Sequence, residues 1–360
     1  MPDFQLLSLD QAADVGEQLR DQERIGIDTE FMRESTYFPQ LCLIQVAIDE
    51  QLFCIDPLDS ASPGGFWDAL HSPAWVLHSG RQDLEVMSQV AEQLPARVFD
   101  TQIAAALLGY APQLGYANLV ADLFDVQLAK TQTRADWSRR PLAPAALDYA
   151  AEDVEHLLPA ADALTDRLRA AGRLDWALAD CADLLDPALY RIDPEIAIDR
   201  VKGARNLSGY ARRAAVELAD WRERKALTSN RPRQWILRDA VLLDIAASAP
   251  SSKADIAAIR DLPASTARRH AGEFLAILES ARTTQDGYQP PGRPDEKQKA
   301  AMKAMQKKVA SRAKELDIAA EVIAPRRELA AALQGDFSGR VFRGWRRELI
   351  GDELREMADA

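Results

Sequence analysis

Asp28 and Glu30 stand on either side of Thr29 in the string IGIDTEF, residues 25 to 31. The string is apolar enough to predict a strand. Side chains alternate across a strand, so Gly26, Asp28 and Glu30 share one face and Ile25, Ile27, Thr29 and Phe31 the other. Two acids on a hydrophobic strand repel each other and lose hydration, and a bound divalent cation relieves both costs. Taken alone, such a pair reads more often as two acids on a solvated edge. Asp83 adds a third carboxylate, in the first turn of the helical stretch RQDLEVMSQVAEQL just after the predicted strand WVLHS, where sheet proteins hold ligands at strand ends. Asp153 adds a fourth on a long predicted helix, with Tyr149 four residues earlier on the same helical face. Together Asp28, Glu30, Asp83 and Asp153 make a set of hard oxygen ligands suited to two Mg²⁺ or Mn²⁺ ions. With such ions about 3.5–4 Å apart, one activates water and the other steadies the leaving oxygen during attack on a phosphodiester. Tyr149, with an ordinary pKa of about 10, is better suited to orienting the water or the phosphate than to taking a proton.

The elements that must position these residues follow from the same pattern reading. IGIDTEF, LCLIQVAI (41 to 48) and LFCID (52 to 56) are short β-branched runs separated by turn-length segments. WVLHS (75 to 79) and RVFDT (97 to 101) each precede a helical stretch, and PAALDYAAEDVEHLLPAADALTDRLRAAG predicts a long helix interrupted at Pro159. Strands first, then strands alternating with helices, describe an α/β domain around a central sheet. After about residue 200 only amphipathic helices remain, in two sets separated by the Gly- and Pro-rich stretch TTQDGYQPPGRPDE.

The segments IGIDTEFMRESTYFPQLCLIQVA, HSGRQDLEVM and KTQTRADWSRRPLAPAALDYAAEDVEHLLP resemble the three exonuclease motifs of the tyrosine subclass of the DEDD superfamily, and within it the ribonuclease D family. Asp136, Trp137, Arg140, Pro141 and Leu142 match a further stretch of that family. The resemblance places Asp28 and Glu30 in the first motif, Asp83 in the second, and Tyr149 and Asp153 in the third. It implies a ribonuclease H-like fold and metal-dependent 3′→5′ hydrolysis of RNA to 5′-mononucleotides. It also covers the helical part: residues 205 to 285 resemble an HRDC domain, shared with RecQ-type helicases, and residues 293 to 360 a second, diverged copy. The expected partition is therefore an exonuclease domain at 1–199 followed by those two HRDC-like domains.

The net charge of −12 looks unsuited to a nucleic-acid partner until it is divided. Residues 1 to 199 hold 13 Lys+Arg against 34 Asp+Glu, net −21, whereas residues 200 to 360 hold 31 against 22, net +9. On charge alone the split slightly favours two unrelated domains, each merely solvated; beside the carboxylates it reads as an acidic half that holds cations and a basic half that holds phosphates. On a helix Lys299, Lys303, Lys307 and Lys314 form one stripe and Met302, Met305, Val309 and Leu316 another, so the helix packs by one face and offers lysines on the other for RNA. Lys130, the only lysine before residue 200, is a candidate phosphate contact by the same resemblance, its alternative being an ordinary loop lysine. Arg139 and Arg140 stand as phosphate contacts or as salt-bridge partners within their loop. No histidine is assigned to catalysis. Cys42 and Cys54 read as small core residues, and three cysteines without a CxxC pair disfavour structural zinc and a disulfide framework.

No apolar run approaches the roughly 18 residues of a spanning helix, and no basic leader opens the sequence, so a cytoplasmic protein with no membrane association is expected. No obligate protein partner is evident. The expected activity is 3′→5′ exoribonuclease action, with tRNA precursors, as the family implies, first among structured RNA substrates. Its alternatives are a 3′→5′ DNA exonuclease and a non-catalytic adaptor that grips RNA 3′ ends.

Overall fold

The structure is a computed structural model and describes residues 2–59, 65–128, 135–191, 193–283 and 295–359. Six strands form one mixed sheet in the order β1-β4-β3-β2-β5-β6. They are β1 (Phe4–Ser8), β2 (Arg24–Met32), β3 (Gln40–Ile48), β4 (Gln51–Asp56), β5 (Ala74–Leu77) and β6 (Val98–Asp100). β1 runs parallel to β4, β3 antiparallel to β4, and β5 parallel to both β2 and β6. The five strands β2 to β6 lie at the five apolar runs that predict them. β1 was not expected: at the sheet edge it buries too little to leave an alternating signature, and its Gln5 and Leu6 are exposed.

One sheet face packs Ile25, Ile27, Ile44, Val46 and Trp75 against Leu84 and Met87 of helix α1 (Arg81–Val90). The other packs Leu43, Ala47, Cys54 and Val76 against helices that follow α2 (Tyr116–Phe124), namely α3 (Pro144–Glu155) and the start of α4 (Leu157–Ala170). Pro144 opens α3, where its missing N–H costs nothing. The break expected at Pro159 falls instead at His156. Pro159 can donate no hydrogen bond and its ring would strike the carbonyl of Glu155, so the chain restarts a helix in whose first turn a proline is tolerated. The freed His156 N–H donates to the Tyr116 hydroxyl at 3.0 Å.

Asp100 ties down the turn that leads into α1. Its buried carboxylate accepts from the N–H groups of Ser79 (3.1 Å), Gly80 (2.8 Å) and Gln102 (2.8 Å), capping the helix after β6 and fixing the residues before Arg81.

The chain divides into two compact units. One comprises residues 1–32, 41–190 and 293–360, and the other 33–40 and 191–292. The boundaries 1–199, 205–285 and 293–360 are thus regrouped. Helix α7 (Glu296–Leu316), preceded along the chain by α5 (Leu174–Ala182) and, in the other unit, α6 (Gly209–Ser229), buries Met305, Val309 and Ala313 in one cluster with Ala104, Leu107, Leu164 and Leu168 of the sheet domain. The second unit has its own core around Leu218, Leu242, Ile245, Phe274 and Leu278. Most of the stretch expected to link the helical sets, 284–294, lies outside the described residues. Among the described residues no helix is long and apolar enough to cross a membrane.

Candidate active site

β5 pairs with β2 up to Gly26 opposite Val76 and ends at Leu77, so Asp28 to Met32 extend past their neighbour at the carboxyl end of the strands. This crevice is where open α/β sheets bind ligands. Gly26 prepares it from the other side. A Cβ there would lie 3.2 Å from the Cβ atoms of both Ala47 and Leu157, so only glycine lets the start of α4 close on β2 without displacement. That approach carries the end of α3, and with it Asp153, over the two strand acids.

Asp28, Glu30 and Asp153 each offer a carboxylate oxygen within 4.8 Å of the other two. One hard cation with metal–oxygen distances of about 2.0–2.6 Å spans such a gap. The electrostatics make the same demand. Burial, then the charges of Asp83, Asp153 and Glu30, push the Asp28 carboxyl well above its ordinary range. Burial and the neighbouring Asp153 and Asp83 raise Glu30 to about 8. Burial raises Asp153 to about 7 although the Tyr149 hydroxyl donates to it. Carboxylates forced together out of water are relieved by protonation or by a divalent cation, and at neutral pH the cation suits them better.

Asp83 is placed differently from the other three. Buried in the first turn of α1, it accepts a hydrogen bond from Thr29 Oγ1 at 2.5 Å and stands outside the close trio. It borders the trio all the same, since its charge raises Asp28, Glu30 and Asp153, and burial raises its own pKa to about 6. Tyr149 is half-buried, and burial followed by the Asp153 charge raises its phenol above the ordinary value. It stays protonated at neutral pH and serves as a donor. Phe31 packs on the opposite sheet face, as its parity predicts.

The basic candidates separate. Arg140 is committed to the fold: Nε and Nη2 grip both carboxylate oxygens of Asp56 (2.5 and 2.7 Å), Nη2 also reaches the Cys42 carbonyl, and Nη1 donates to the carbonyls of Trp137 and Arg139. All five guanidinium donors are used, which corrects its assignment to substrate. The salt bridge also leaves the loop, reaching β4. Arg139 is exposed beside it. Lys130 lies outside the described residues. Lys299, Lys303 and Lys307 are exposed on α7, Lys299 pairing with Glu296 at 2.7 Å. Cys42 and Cys54 are buried free thiols. His78 bonds Thr101 Oγ1 and the Leu114 carbonyl, both at 2.8 Å, and so braces the scaffold.

Sequence reading missed Tyr116 and Asp100. Tyr116 holds the backbone at the α3–α4 break, and Asp100 holds the turn before Asp83. An acid between a strand and a helix was a legible capping signal for Asp100; Tyr116 had none, because its partner is a backbone group 40 residues away.

Comparison with known proteins bears on the whole length. The 3′-5′ exonuclease family profile matches residues 6–169 and the HRDC domain profile residues 212–278. A ribonuclease D of Gluconacetobacter diazotrophicus is 38% identical over 358 residues, covering 96% of this chain and 90% of its own. One from Pseudomonas paraeruginosa is 36% identical over 348 residues, covering 93% and 92%. The crystal structure of Escherichia coli RNase D, an exoribonuclease involved in structured RNA processing, superposes with a TM-score of 0.89 at 31% identity over 99% of both chains. An exonuclease sheet domain and a helical region containing an HRDC domain are thus shared end to end, and the chain belongs to the ribonuclease D family.

Proposed function

We propose that this 3′→5′ exoribonuclease removes nucleotides from the 3′ extensions of structured RNAs in the cytoplasm, tRNA precursors first among them, using two Mg²⁺ or Mn²⁺ ions. The convergence of Asp28, Glu30 and Asp153 beneath Tyr149 carries the reading. The exonuclease family implies divalent metal ions, and this donor set fits them. Bound there, such a pair supplies an activated water at neutral pH and neutralises charge on the leaving oxygen. Asp28, Glu30 and Asp153 would hold the ions, with Asp83 reaching the same crevice around the end of β2. Tyr149, protonated and bonded to Asp153, would donate to the attacking water or to a phosphate oxygen and fix its line of approach. Arg139, Lys130 and the α7 lysines Lys299, Lys303 and Lys307 remain the candidates for phosphate contact.

Cleavage of 5′-labelled RNA and DNA, each carrying a 3′ overhang, tests the reading. RNA should shorten one nucleotide at a time with Mg²⁺ or Mn²⁺ and stop with EDTA. Preferential loss of DNA would favour the DNA exonuclease, and binding without cleavage the adaptor. Asp28→Asn should lower turnover by at least a thousandfold while RNA binding persists; surviving activity would remove Asp28 from the ion site.

A further inference from the structure

Gln45, in the middle of β3, is fully buried, and neither its carboxamide oxygen nor its nitrogen has a hydrogen-bond partner. Among the described residues it alone carries two such orphaned side-chain atoms. A buried amide without partners is costly and rare, and it calls for an explanation.

Its position supplies one. β2 and β3 are neighbours joined by seven residues, too few for the crossover that parallel strands need, so they run antiparallel. Gly26 of β2 and Ala47 of β3 lie side by side on the face covered by α3 and α4. Two residues along each strand in opposite senses stand Asp28 and Gln45, which therefore occupy facing positions on that same face. Directly opposed residues of an antiparallel pair have Cβ atoms about 4.5–5.5 Å apart, within reach of a glutamine side chain.

We propose that Gln45 is a positioning residue for Asp28: its carboxamide N–H donates to the Asp28 carboxylate when a divalent cation is bound, fixing which oxygen is turned to the metal. The proposal rests on the reading of Asp28 as a cation ligand. Groups that hold a metal's ligands in place commonly change metal affinity 10- to 100-fold when removed. A carboxylate drawn toward a cation has one oxygen left to accept, and Gln45 has a donor with no other partner.

Manganese titration of the full-length protein, followed by the loss of the free Mn²⁺ paramagnetic signal, tests this without relying on turnover. Gln45→Met keeps the length and removes both polar atoms. It should leave the metal-free melting temperature unchanged or higher, since two orphaned groups are gone. It should weaken Mn²⁺ binding about tenfold or more and lower kcat with KM for RNA unchanged. Wild-type Mn²⁺ affinity in Gln45→Met would overturn the proposal. Asp28→Asn is titrated alongside: if it too binds Mn²⁺ normally, the ligand assignment has failed rather than the role of Gln45. Should Gln45→Met not fold, Gln45→Asn, which withdraws the carboxamide by one methylene, carries the same expectation for Mn²⁺ affinity and kcat and the same refutation.

Discussion

The two helical regions that follow the sheet domain both read as amphipathic helices in the sequence, yet their buried charges are paired in different places. In residues 191–292 the buried Arg222 reaches Asp239 at 2.6 Å, and Glu223 pairs with Arg233, all inside one unit. In residues 295–359 the buried Arg346 grips Asp180 of α5 with both terminal nitrogens, at 2.5 and 2.6 Å, and also donates to the Val322 carbonyl. Trp345 stacks on Trp176 with ring centroids 4.3 Å apart and donates to the same Asp180. Arg173 bridges the carbonyls of Leu107 and Leu316, and Gly109, at φ +95°, lies so close to Asp317 that a Cβ would stand 2.6 Å from its carbonyl oxygen. The first region closes its own core and the second completes the core of the nuclease. A charge buried with its partner in another segment marks a docked surface, because an isolated charge there would be prohibitively costly.

Cutting the chain after Thr283 breaks this contrast most severely. It strips α7 and Trp345 from the apolar faces of Ala104, Leu107, Leu164 and Leu168. The nuclease unit should lose its cooperative thermal transition, or melt at least roughly 10 °C lower, while the unit containing the HRDC match keeps its own. An unchanged nuclease transition would show that the segment does not share its core.

Single substitutions sharpen the contrast. Arg346→Met leaves Asp180 buried without its ion partner and should cost the nuclease unit about 3–5 kcal/mol in denaturant unfolding. Arg222→Met should lower the other unit's transition by less, roughly 1–3 kcal/mol, because Asp239 is partly exposed and keeps the Lys202 N–H as a donor. If both substitutions move the same transition, the two regions are not independent in this sense.

The acids of the two units should respond to pH with opposite signs. In the metal-free nuclease unit Asp83, Asp153 and Glu30 are raised to about 6, 7 and 8. An acid raised in the folded state contributes stability that is complete below its unfolded value of about 4 and is lost as pH rises through the folded value. With EDTA, the nuclease transition should therefore fall as pH rises from 5 to 8, and Mg²⁺ or Mn²⁺ should restore most at the high end. In the other unit burial pushes Glu223 and Asp239 up, but hydrogen bonds from Arg233 and Tyr37 to the first and from Arg222 to the second more than offset it, leaving both low. That unit's stability should be level over the same range and fall only on acidification. Parallel melting curves at pH 5, 6, 7 and 8, with and without metal, read both signs.

How much of this was legible depended on the distance over which each residue acts. Strand parity put Asp28 and Glu30 on one face, and helical spacing put Tyr149 beside Asp153, because those relations are local. The split of charge between the halves was legible for the same reason. That Arg140 belongs to Asp56, 84 residues earlier, was not. Nor was the docking role of Trp345 and Arg346, whose partner Asp180 lies some 165 residues away and whose sequence reads equally as part of a free-standing helical domain. Asp83 shows the limit within the site: its helix was correctly placed, but the Thr29 hydroxyl that holds its carboxylate comes from the strand face assigned to the core.

The lysine stripe of α7 is the gentlest point at which to test what docking achieves. Met305 and Val309 face the shared core, so Lys303 and Lys307 are turned outward on a helix fixed to the nuclease unit. A cation held on a rigid scaffold can follow the backbone of a single strand. One that is merely solvated leaves no mark on binding. Lys303→Glu with Lys307→Glu should leave both melting transitions unchanged, because neither side chain is buried. It should weaken binding to 3′-extended RNA several-fold at low salt. The slope of log affinity against log salt should flatten by about 0.7 for each phosphate contact removed, about 1.4 for the pair. An unchanged slope would reduce the stripe to a solvated face. The net +9 of the C-terminal half would then have to act on RNA through the 191–292 unit, reversing the division of labour between the two helical regions.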